Sequence, residues 1–306
     1  MTSVAVHYLP ASAADANRLA ACLAVPDHEI SVHVFPDGEL RVSAWPAAAV
    51  CVLYAALDQP NDKLLALLFA AESLRRNGSS RLVLVAPYLC YMRQDTAFRP
   101  GEAISQKVIG QLISSRFDRV ITIDAHLHRT ARLNDVCPGI ETDNLSAMPA
   151  IASHLRESAL DPRTVIVGPD AESRPWVTEL SALLDIKFTV ATKTRLGDRS
   201  VEIVLDKPHA LQGRPALLVD DIVSSGGTMM SCARAVIAAG AISVDAIVTH
   251  ALFPKQLMED FTKSGIRTVR STTSVPHSTN AIALDQLLAN ALRPELIAAR
   301  NKEKLS

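Results

Sequence analysis

The chain has 306 residues, 48% hydrophobic and 21% charged, which excludes a disordered chain, a fibrous chain and a disulfide scaffold. This length suggests about two domains. Lys and Arg number 31 against 32 Asp and Glu, so the formal charge of −1 provides no bulk attraction to nucleic acid or acidic membranes. Any anion-binding site is therefore expected to be local.

Cysteine usage and the N-terminus indicate the compartment. The five cysteines are odd in number, widely spaced and without a C-x-x-C pair, so we expect reduced thiols and no zinc site. No basic segment followed by a long apolar stretch opens the chain, so no signal peptide is expected. The longest apolar run, residues 64–71, falls short of the roughly 20 residues that span a bilayer. We therefore expect a cytoplasmic protein without a membrane or nucleic-acid partner.

Short β-type runs alternate with helical patterns along the chain. The predicted elements of the first half are a helix over 61–77 that Asn77 and Gly78 end, a strand over 81–86, a helix through 104–113 and a strand over 119–124. Those of the second half are strands over 164–168, 188–191, 216–220 and 243–249, with helices over 172–184 and 227–239. Apolar strands separated by helices of this length predict α/β architecture, with parallel sheets flanked by helices.

The pattern is interrupted near residues 144–150, where Asn144, Ser146 and Pro149 occur. This interruption predicts two domains of similar size, residues 1–146 and residues 147–306.

The sharpest motif is LLVDDIVSSGGT at residues 217–228. A strand brings Asp220 and Asp221 to its carboxyl end, where α/β sheets bind ligands. The loop that follows opens a helix, so its backbone N–H groups, its hydroxyls and the helix dipole favour an anion. One phosphate beside two carboxylates suits a phosphorylated sugar; the alternative is a helix cap and turn without a ligand. The loop residues are Ser224, Ser225, Gly226, Gly227 and Thr228.

Three motifs of the first half are less specific. FPDGE at residues 35–39 and RQD at residues 93–95, the latter in the loop after the strand over 81–86, are each more typical of structural turns when taken alone. In DAHLH at residues 124–128, strand alternation directs His126 and His128 to the same side while the chain stays extended. Without a third ligand at metal-site spacing, zinc is not expected. A hydrogen-bonded histidine beside a phosphate or hydrated magnesium is the other interpretation.

Two further polar segments follow strands in the second half. Asp170 and Glu172 come after the strand over 164–168, and oxygen ligands at a strand end suit magnesium that keeps most of its waters. The segment KTRLGDR at residues 193–199 is polar, and composition alone predicts a solvated hairpin loop.

Taken in order, these motifs closely resemble the ribose-phosphate pyrophosphokinases, also called PRPP synthetases, and the loop at 220–228 resembles the phosphoribosyl-diphosphate signature of phosphoribosyltransferase-type folds. The motifs run from residue 35 to about residue 250, and their joint occurrence is more specific than any one of them. The resemblance implies a fold of two phosphoribosyltransferase-like α/β domains, each a mainly parallel sheet flanked by helices. This agrees with the independent interpretation of the two halves.

The resemblance also implies an activity: conversion of ribose 5-phosphate and MgATP into 5-phosphoribosyl 1-diphosphate and AMP. ATP would be bound by Phe35, Asp37, Gly38 and Glu39 of one loop and by Arg93, Gln94 and Asp95 of another. Ribose 5-phosphate would be bound by Asp220, Asp221, Ser224, Ser225, Gly226, Gly227 and Thr228. His126 and Asp170 match magnesium positions, and Lys193 and Arg195 match the catalytic hairpin. In the family the FPDGE loop reaches a neighbouring subunit, so a homo-oligomer, at least a dimer, is implied.

Departures from the main family pattern indicate a variant branch. Ser224 and Gly226 stand where an aspartate and an alanine are usual, and Thr194 where a second basic residue is common. Two other hypotheses remain. A phosphoribosyltransferase that consumes the diphosphate shares the loop at 220–228 but does not need the first-half motifs. A non-catalytic regulatory homologue would be favoured by loss of Lys193, Arg195 or His126, all of which are present.

Overall fold

A computed structural model describes residues 3–195 and 201–303 and divides them into two compact units. The first unit contains the described residues up to Leu145, with Ser274–Pro276 and the segment from Leu284 onward. The second contains Ser146–Thr273 and His277–Ala283. Each has a mainly parallel sheet flanked by helices, which confirms the predicted fold class. In the part of the chain that is described, no helix has the length and apolarity needed to cross a membrane.

The bounds of the regular elements are as follows. The strands are β1 (Val4–Tyr8), β2 (Asp27–Glu29), β3 (Ser31–Val34), β4 (Leu40–Ser43), β5 (Val50–Tyr54), β6 (Arg81–Ala86), β7 (Arg119–Ile123), β8 (Glu141–Leu145), β9 (Val165–Gly168), β10 (Phe188–Arg195), β11 (Val201–Leu205), β12 (Pro215–Val223), β13 (Ser243–Ala251), β14 (Ile266–Thr272) and β15 (Asn280–Ile282). The helices are α1 (Ala13–Leu23), α2 (Pro60–Arg76), α3 (Ser105–Ser114), α4 (Leu133–Val136), α5 (Met148–Glu157), α6 (Arg174–Leu184), α7 (Gly227–Ala238), α8 (Leu257–Lys263) and α9 (Asp285–Glu303).

The sheet of the first unit has the strand order β2-β1-β5-β6-β7-β8, with all neighbours parallel. Every residue of β1, β5 and β7 is buried, as expected of parallel strands covered on both faces. The predicted strand over 81–86 is confirmed by β6, and the predicted helix over 61–77 corresponds to α2. Strands β3 and β4 form a separate antiparallel hairpin, and β4 packs against α2.

The C-terminal helix α9 packs in the first unit, a difference from the predicted division into residues 1–146 and 147–306. Near its start, Asp285 accepts a hydrogen bond from Cys22 Sγ at 3.5 Å. Further along, the buried Glu295 pairs with Arg81 of β6 at 2.7 Å and with Arg119 of β7 at 2.9 Å. These contacts return the end of the chain to the unit in which it began.

The sheet of the second unit has the strand order β11-β10-β9-β12-β13-β14-β15 and is parallel except for the antiparallel pair of β10 and β11. Its core is built from apolar residues of these strands and of α7 and α8, and includes Val167, Leu218 and Phe261. Because β9 lies between β10 and β12, the carboxyl ends of these three strands meet at one edge. Asp170, Asp220 and Asp221 lie at that edge.

Candidate active site

Three carboxylates gather at the ends of β9 and β12. Asp220 and Asp221 are only 9% and 3% exposed. Asp170, which follows β9, accepts hydrogen bonds from the backbone N–H groups of Glu172 at 3.2 Å and Ser173 at 3.3 Å. Burial, followed by the charges of Asp221 and Asp170, raises the pKa of Asp220 well above its ordinary value. The structure thus brings together the predicted metal residue Asp170 and two of the predicted sugar-phosphate residues, Asp220 and Asp221.

The backbone fixes the two adjacent aspartates. Asp220 Oδ1 accepts the N–H of Asp221 at 3.1 Å, and Asp221 Oδ1 accepts the N–H of Ile222 at 2.8 Å. Each carboxylate is therefore anchored by the residue that follows it.

The loop after β12 ends at the N-terminus of α7, as the motif predicts. Gly226 is the N-cap residue with φ of +71°, and a Cβ at this position would lie 2.7 Å from Leu257 Cδ2 and 2.8 Å from Phe261 Cε1. Only glycine fits both the backbone conformation and the space. A glycine N-cap offers no side-chain oxygen to the N-terminus of α7, and the N-terminus of a helix favours an anion.

The predicted catalytic pair lies on the hairpin of β10 and β11. The backbone of Lys193 pairs with Ile203 and that of Arg195 with Val201. The side chains of Lys193 and Arg195 lie outside the described part of the structure, so their role stays a prediction. Strand β10 pairs with β9 only as far as Val190, opposite Gly168, so the hairpin continues past the carboxyl end of β9, which leads to Asp170.

In the first unit, the predicted ATP residues Arg93, Gln94 and Asp95 follow β6. The side chain of Asp95 is 1% exposed and accepts two hydrogen bonds from Arg129, one from the backbone N–H at 3.1 Å and one from Nη1 at 2.9 Å. Burial by itself raises the pKa of Asp95, but these hydrogen bonds outweigh burial and lower it. Asp95 thus links two loops. Gln94 Oε1 accepts a hydrogen bond from Ser105 Oγ at 2.9 Å, which orients the Gln94 amide.

His126 and His128 follow β7 and face one another. Their rings are in T-shaped contact with centroids 3.8 Å apart, and their Nε2 atoms meet. This agrees with the expectation that both point to the same side. The preceding Asp124 has φ of +37°, and the N–H of Ala125 donates to Asn144 Oδ1 at 2.8 Å, so the chain is held where it turns away from the strand. Sequence reasoning noted His128 but did not include it among the site residues.

The tip of the hairpin of β3 and β4 carries Phe35, Asp37, Gly38 and Glu39. Its turn is closed by hydrogen bonds from Phe35 N–H to Glu39 O at 2.8 Å and from Gly38 N–H to Phe35 O at 2.9 Å, and Asp37 Oδ1 accepts the N–H of Glu39 at 3.1 Å. Phe35 is 37% exposed, and Arg41 Cζ lies over its ring, 5.9 Å from the ring centroid. The tip is thus an ordered turn that presents an aromatic face and carboxylates to its surroundings.

Three residues absent from the sequence prediction connect the loops that follow β6 and β7: Gln106, Arg129 and Thr130. Thr130 Oγ1 donates to Gln106 Oε1 at 2.7 Å, and Gln106 Nε2 donates to Met92 O at 3.2 Å. No motif marks them, because each acts through partners distant in sequence.

Known proteins share this organisation. Residues 5–116 match the N-terminal domain of ribose phosphate pyrophosphokinase, and residues 142–281 match the phosphoribosyl transferase domain. A ribose-phosphate pyrophosphokinase of Methanobrevibacter smithii is 32% identical over 85% of this chain and 90% of its own length. A ribose-phosphate pyrophosphokinase of Rhizobium meliloti is 31% identical over 92% of this chain and 94% of its own length. The crystal structure of phosphoribosylpyrophosphate synthetase from Mycobacterium smegmatis shares the fold, with a TM-score of 0.83 at 22% identity over 97% of this chain and 100% of that one. The chain therefore belongs to the ribose-phosphate pyrophosphokinase family.

Proposed function

We propose that this protein transfers the β,γ-diphosphoryl group of MgATP to the C1 hydroxyl of ribose 5-phosphate, giving 5-phosphoribosyl 1-diphosphate and AMP. The observation that carries the proposal is the edge of the second sheet, where the buried Asp220 and Asp221 precede the glycine-capped N-terminus of α7. This edge offers a phosphate site and hydroxyl acceptors a few residues apart. Family membership supports the same reaction.

Ribose 5-phosphate would bind with its phosphate at the loop of Ser224–Thr228. Backbone N–H groups and the α7 dipole favour the anion there, and the hydroxyls of Ser224, Ser225 and Thr228 add donors. The carboxylates of Asp220 and Asp221 then accept hydrogen bonds from ring hydroxyls. Such bonds replace the water that these buried groups lose.

In the reaction the C1 oxygen attacks the β-phosphorus of ATP. The bond from that phosphorus to the oxygen bridging to the α-phosphorus breaks, AMP leaves with the electron pair, and the proton of the C1 hydroxyl is released to solvent. Negative charge moves among the phosphoryl oxygens, and Lys193, Arg195 and Arg93 can stabilise it. Such electrostatic stabilisation, together with positioning of the reactants, is the main contribution of the protein to phosphoryl transfer. By analogy with the arginine fingers of other phosphoryl-transfer enzymes, loss of such a cation is expected to cost roughly 10³–10⁵-fold in rate. A basic hairpin that closes over the nucleotide would also exclude water.

Magnesium is the cofactor that fits these residues. Asp170, Asp220 and Asp221 offer carboxylate oxygens, the ligands that magnesium prefers. The raised pKa of Asp220 reflects burial and repulsion from Asp221 and Asp170, which a divalent cation would relieve. Bound magnesium neutralises charge on the phosphoryl oxygens. His126 and Asp170 remain the predicted ligands.

Assembly is the second part of the proposal. The exposed Phe35 and the carboxylates at the hairpin tip suit the adenine and ribose of an ATP held by a neighbouring subunit, so we propose a homo-oligomer of at least two chains. The five cysteines are free thiols, which supports a cytoplasmic location.

The reaction is tested by incubating purified protein with MgATP and ribose 5-phosphate and following products by phosphorus NMR. We expect AMP and 5-phosphoribosyl 1-diphosphate in equal amounts. ADP in place of AMP would identify a sugar kinase instead. Turnover only when the diphosphate and a nucleobase are supplied would identify a phosphoribosyltransferase, and substrate binding without any turnover would favour the regulatory homologue.

A further inference from the structure

Two loops of the first unit carry predicted site residues, and a buried glutamine lies between them. The ATP loop (residues 92–95) follows β6, and the histidine loop (residues 124–130) follows β7; these strands are parallel neighbours. Gln106, in the first turn of α3, is 3% exposed. It is a buried polar side chain to which the reaction described above assigns no role.

Both ends of the Gln106 amide are occupied. Its Nε2 donates to the carbonyl of Met92 at 3.2 Å, next to Arg93, and its Oε1 accepts the hydroxyl proton of Thr130 at 2.7 Å. The backbone N–H of Gln106 also donates to Gln94 O at 3.2 Å, which satisfies one N–H at the start of α3. A buried amide that loses a partner bears the full cost of desolvation, so this arrangement strongly selects one relative position of the two loops.

A second link joins the same two loops at their outer side. Arg129 of the histidine loop donates to Asp95 of the ATP loop through its backbone and its guanidinium, as described above. The guanidinium also lies over the ring of Phe98, with 5.6 Å between Cζ and the ring centroid. Two independent links between the same loops indicate that their relative position matters.

We propose that Gln106 is a positioning residue for diphosphoryl transfer, which holds the ATP loop in register with the histidine loop. The inference rests on the proposed function, since the loops carry Arg93 and His126 as predicted nucleotide and metal groups. The side chain of Gln106 is buried and hydrogen-bonds to Met92 and Thr130, so its proposed effect on the reaction is exerted through these two residues. A misplacement of about 1 Å in such a group can cost about 10²-fold in rate.

The test compares Gln106→Met, which keeps the volume and removes both side-chain hydrogen bonds, with Gln111→Met, an exposed position on the same helix. We expect Gln106→Met to lower kcat/KM for MgATP by about 10–100-fold and to leave KM for ribose 5-phosphate within twofold. Gln111→Met should match wild type.

Variants of Thr130 provide a second test of the same link. Because Thr130 is only partly buried, they are less disruptive to folding than a change at Gln106. Thr130→Val removes the hydroxyl with little change of shape and should reduce kcat/KM for MgATP, whereas Thr130→Ser should restore it. If the link acts as one unit, the double variant Gln106→Met/Thr130→Val should lose no more than Gln106→Met alone. Additive losses, or equal activities of Thr130→Val and Thr130→Ser, would overturn the proposal.

Equilibrium binding of magnesium α,β-methylene-ATP separates this inference from the proposed function. If wild type binds the analogue but gives no turnover, the proposed reaction fails. In that case, positioning by Gln106 is supported if Gln106→Met binds the analogue with a Kd at least fivefold weaker than wild type and Gln111→Met does not. A variant with a lower melting temperature but unchanged kcat, KM and Kd would show that Gln106 serves stability only.

Discussion

Replacing Glu295 by glutamine tests whether α9 is held to the first unit by charge. The Glu295 side chain is 5% exposed and accepts three hydrogen bonds, from Arg81 Nε at 2.7 Å, Arg81 Nη2 at 2.8 Å and Arg119 Nη1 at 2.9 Å. Removing one member of a buried ion pair costs about 3–5 kcal/mol. We expect about 3 kcal/mol, the lower end, because Arg119 keeps Asp143 and Arg81 keeps Glu141.

Hydrogen exchange at pH 7, measured by mass spectrometry on peptides that cover β6 and β7, detects this loss. Since each 1.4 kcal/mol is tenfold, exchange through unfolding should become about 10²-fold faster in Glu295→Gln. Glu72→Gln is the matched control: Glu72 pairs with Arg76 at 3.0 Å, but the two side chains are 55% and 66% exposed. Such an exposed pair contributes at most about 1 kcal/mol.

The pH dependence has a definite sign. Burial by itself raises the pKa of Glu295, but the hydrogen bonds from Arg81 and Arg119 outweigh burial and hold it below its ordinary value of 4.5. The stabilisation is therefore present above pH 4.5 and is lost as the pH falls through the lower pKa of the folded state. The difference between wild type and Glu295→Gln should therefore shrink as the pH falls below 4.5. Less than a threefold change in exchange at pH 7, or an equal effect of Glu72→Gln, would refute the reasoning.

Three further predictions concern other sites. Burial, aided by the charge of His28, lowers the pKa of His7 from 6.5 to about 4, so stability should fall by up to about 3 kcal/mol as the pH drops from 6.5 to 4, and His7→Leu should flatten this part of a urea-denaturation profile. Gly226→Ala should weaken ribose 5-phosphate binding at least tenfold by calorimetry and leave ATP-analogue binding unchanged, because the added Cβ meets Phe261 at 2.8 Å; unchanged sugar binding would contradict the assigned phosphate site. Lys193→Ala should slow turnover about 10³-fold with sugar binding intact, whereas the exposed Lys187→Ala should behave as wild type in the same assay.

The sequence by itself determined the local elements and the second-half phosphate motif. The strand over 81–86 and the helix that begins at Gly227 follow from short-range apolar periodicity and capping residues, which act between neighbours in the chain. The loop at 220–228 was recognisable for the same reason, since its carboxylates, glycines and hydroxyls are contiguous. The order of the motifs then predicted the family, which the comparisons confirm.

Tertiary structure alone decided which distant groups meet. Asp170 affects Asp220 because β9 and β12 are neighbours in the sheet, and no local pattern encodes strand order. Gln106 carries no motif, yet burial between Met92 and Thr130 makes it a link between two loops. Helix α9 packs in the first unit, where Glu295 pairs with Arg81 and Arg119, residues far from it in the sequence. Hydrophobic periodicity specifies which face of an element is buried, whereas the partner across that face depends on how the whole chain folds.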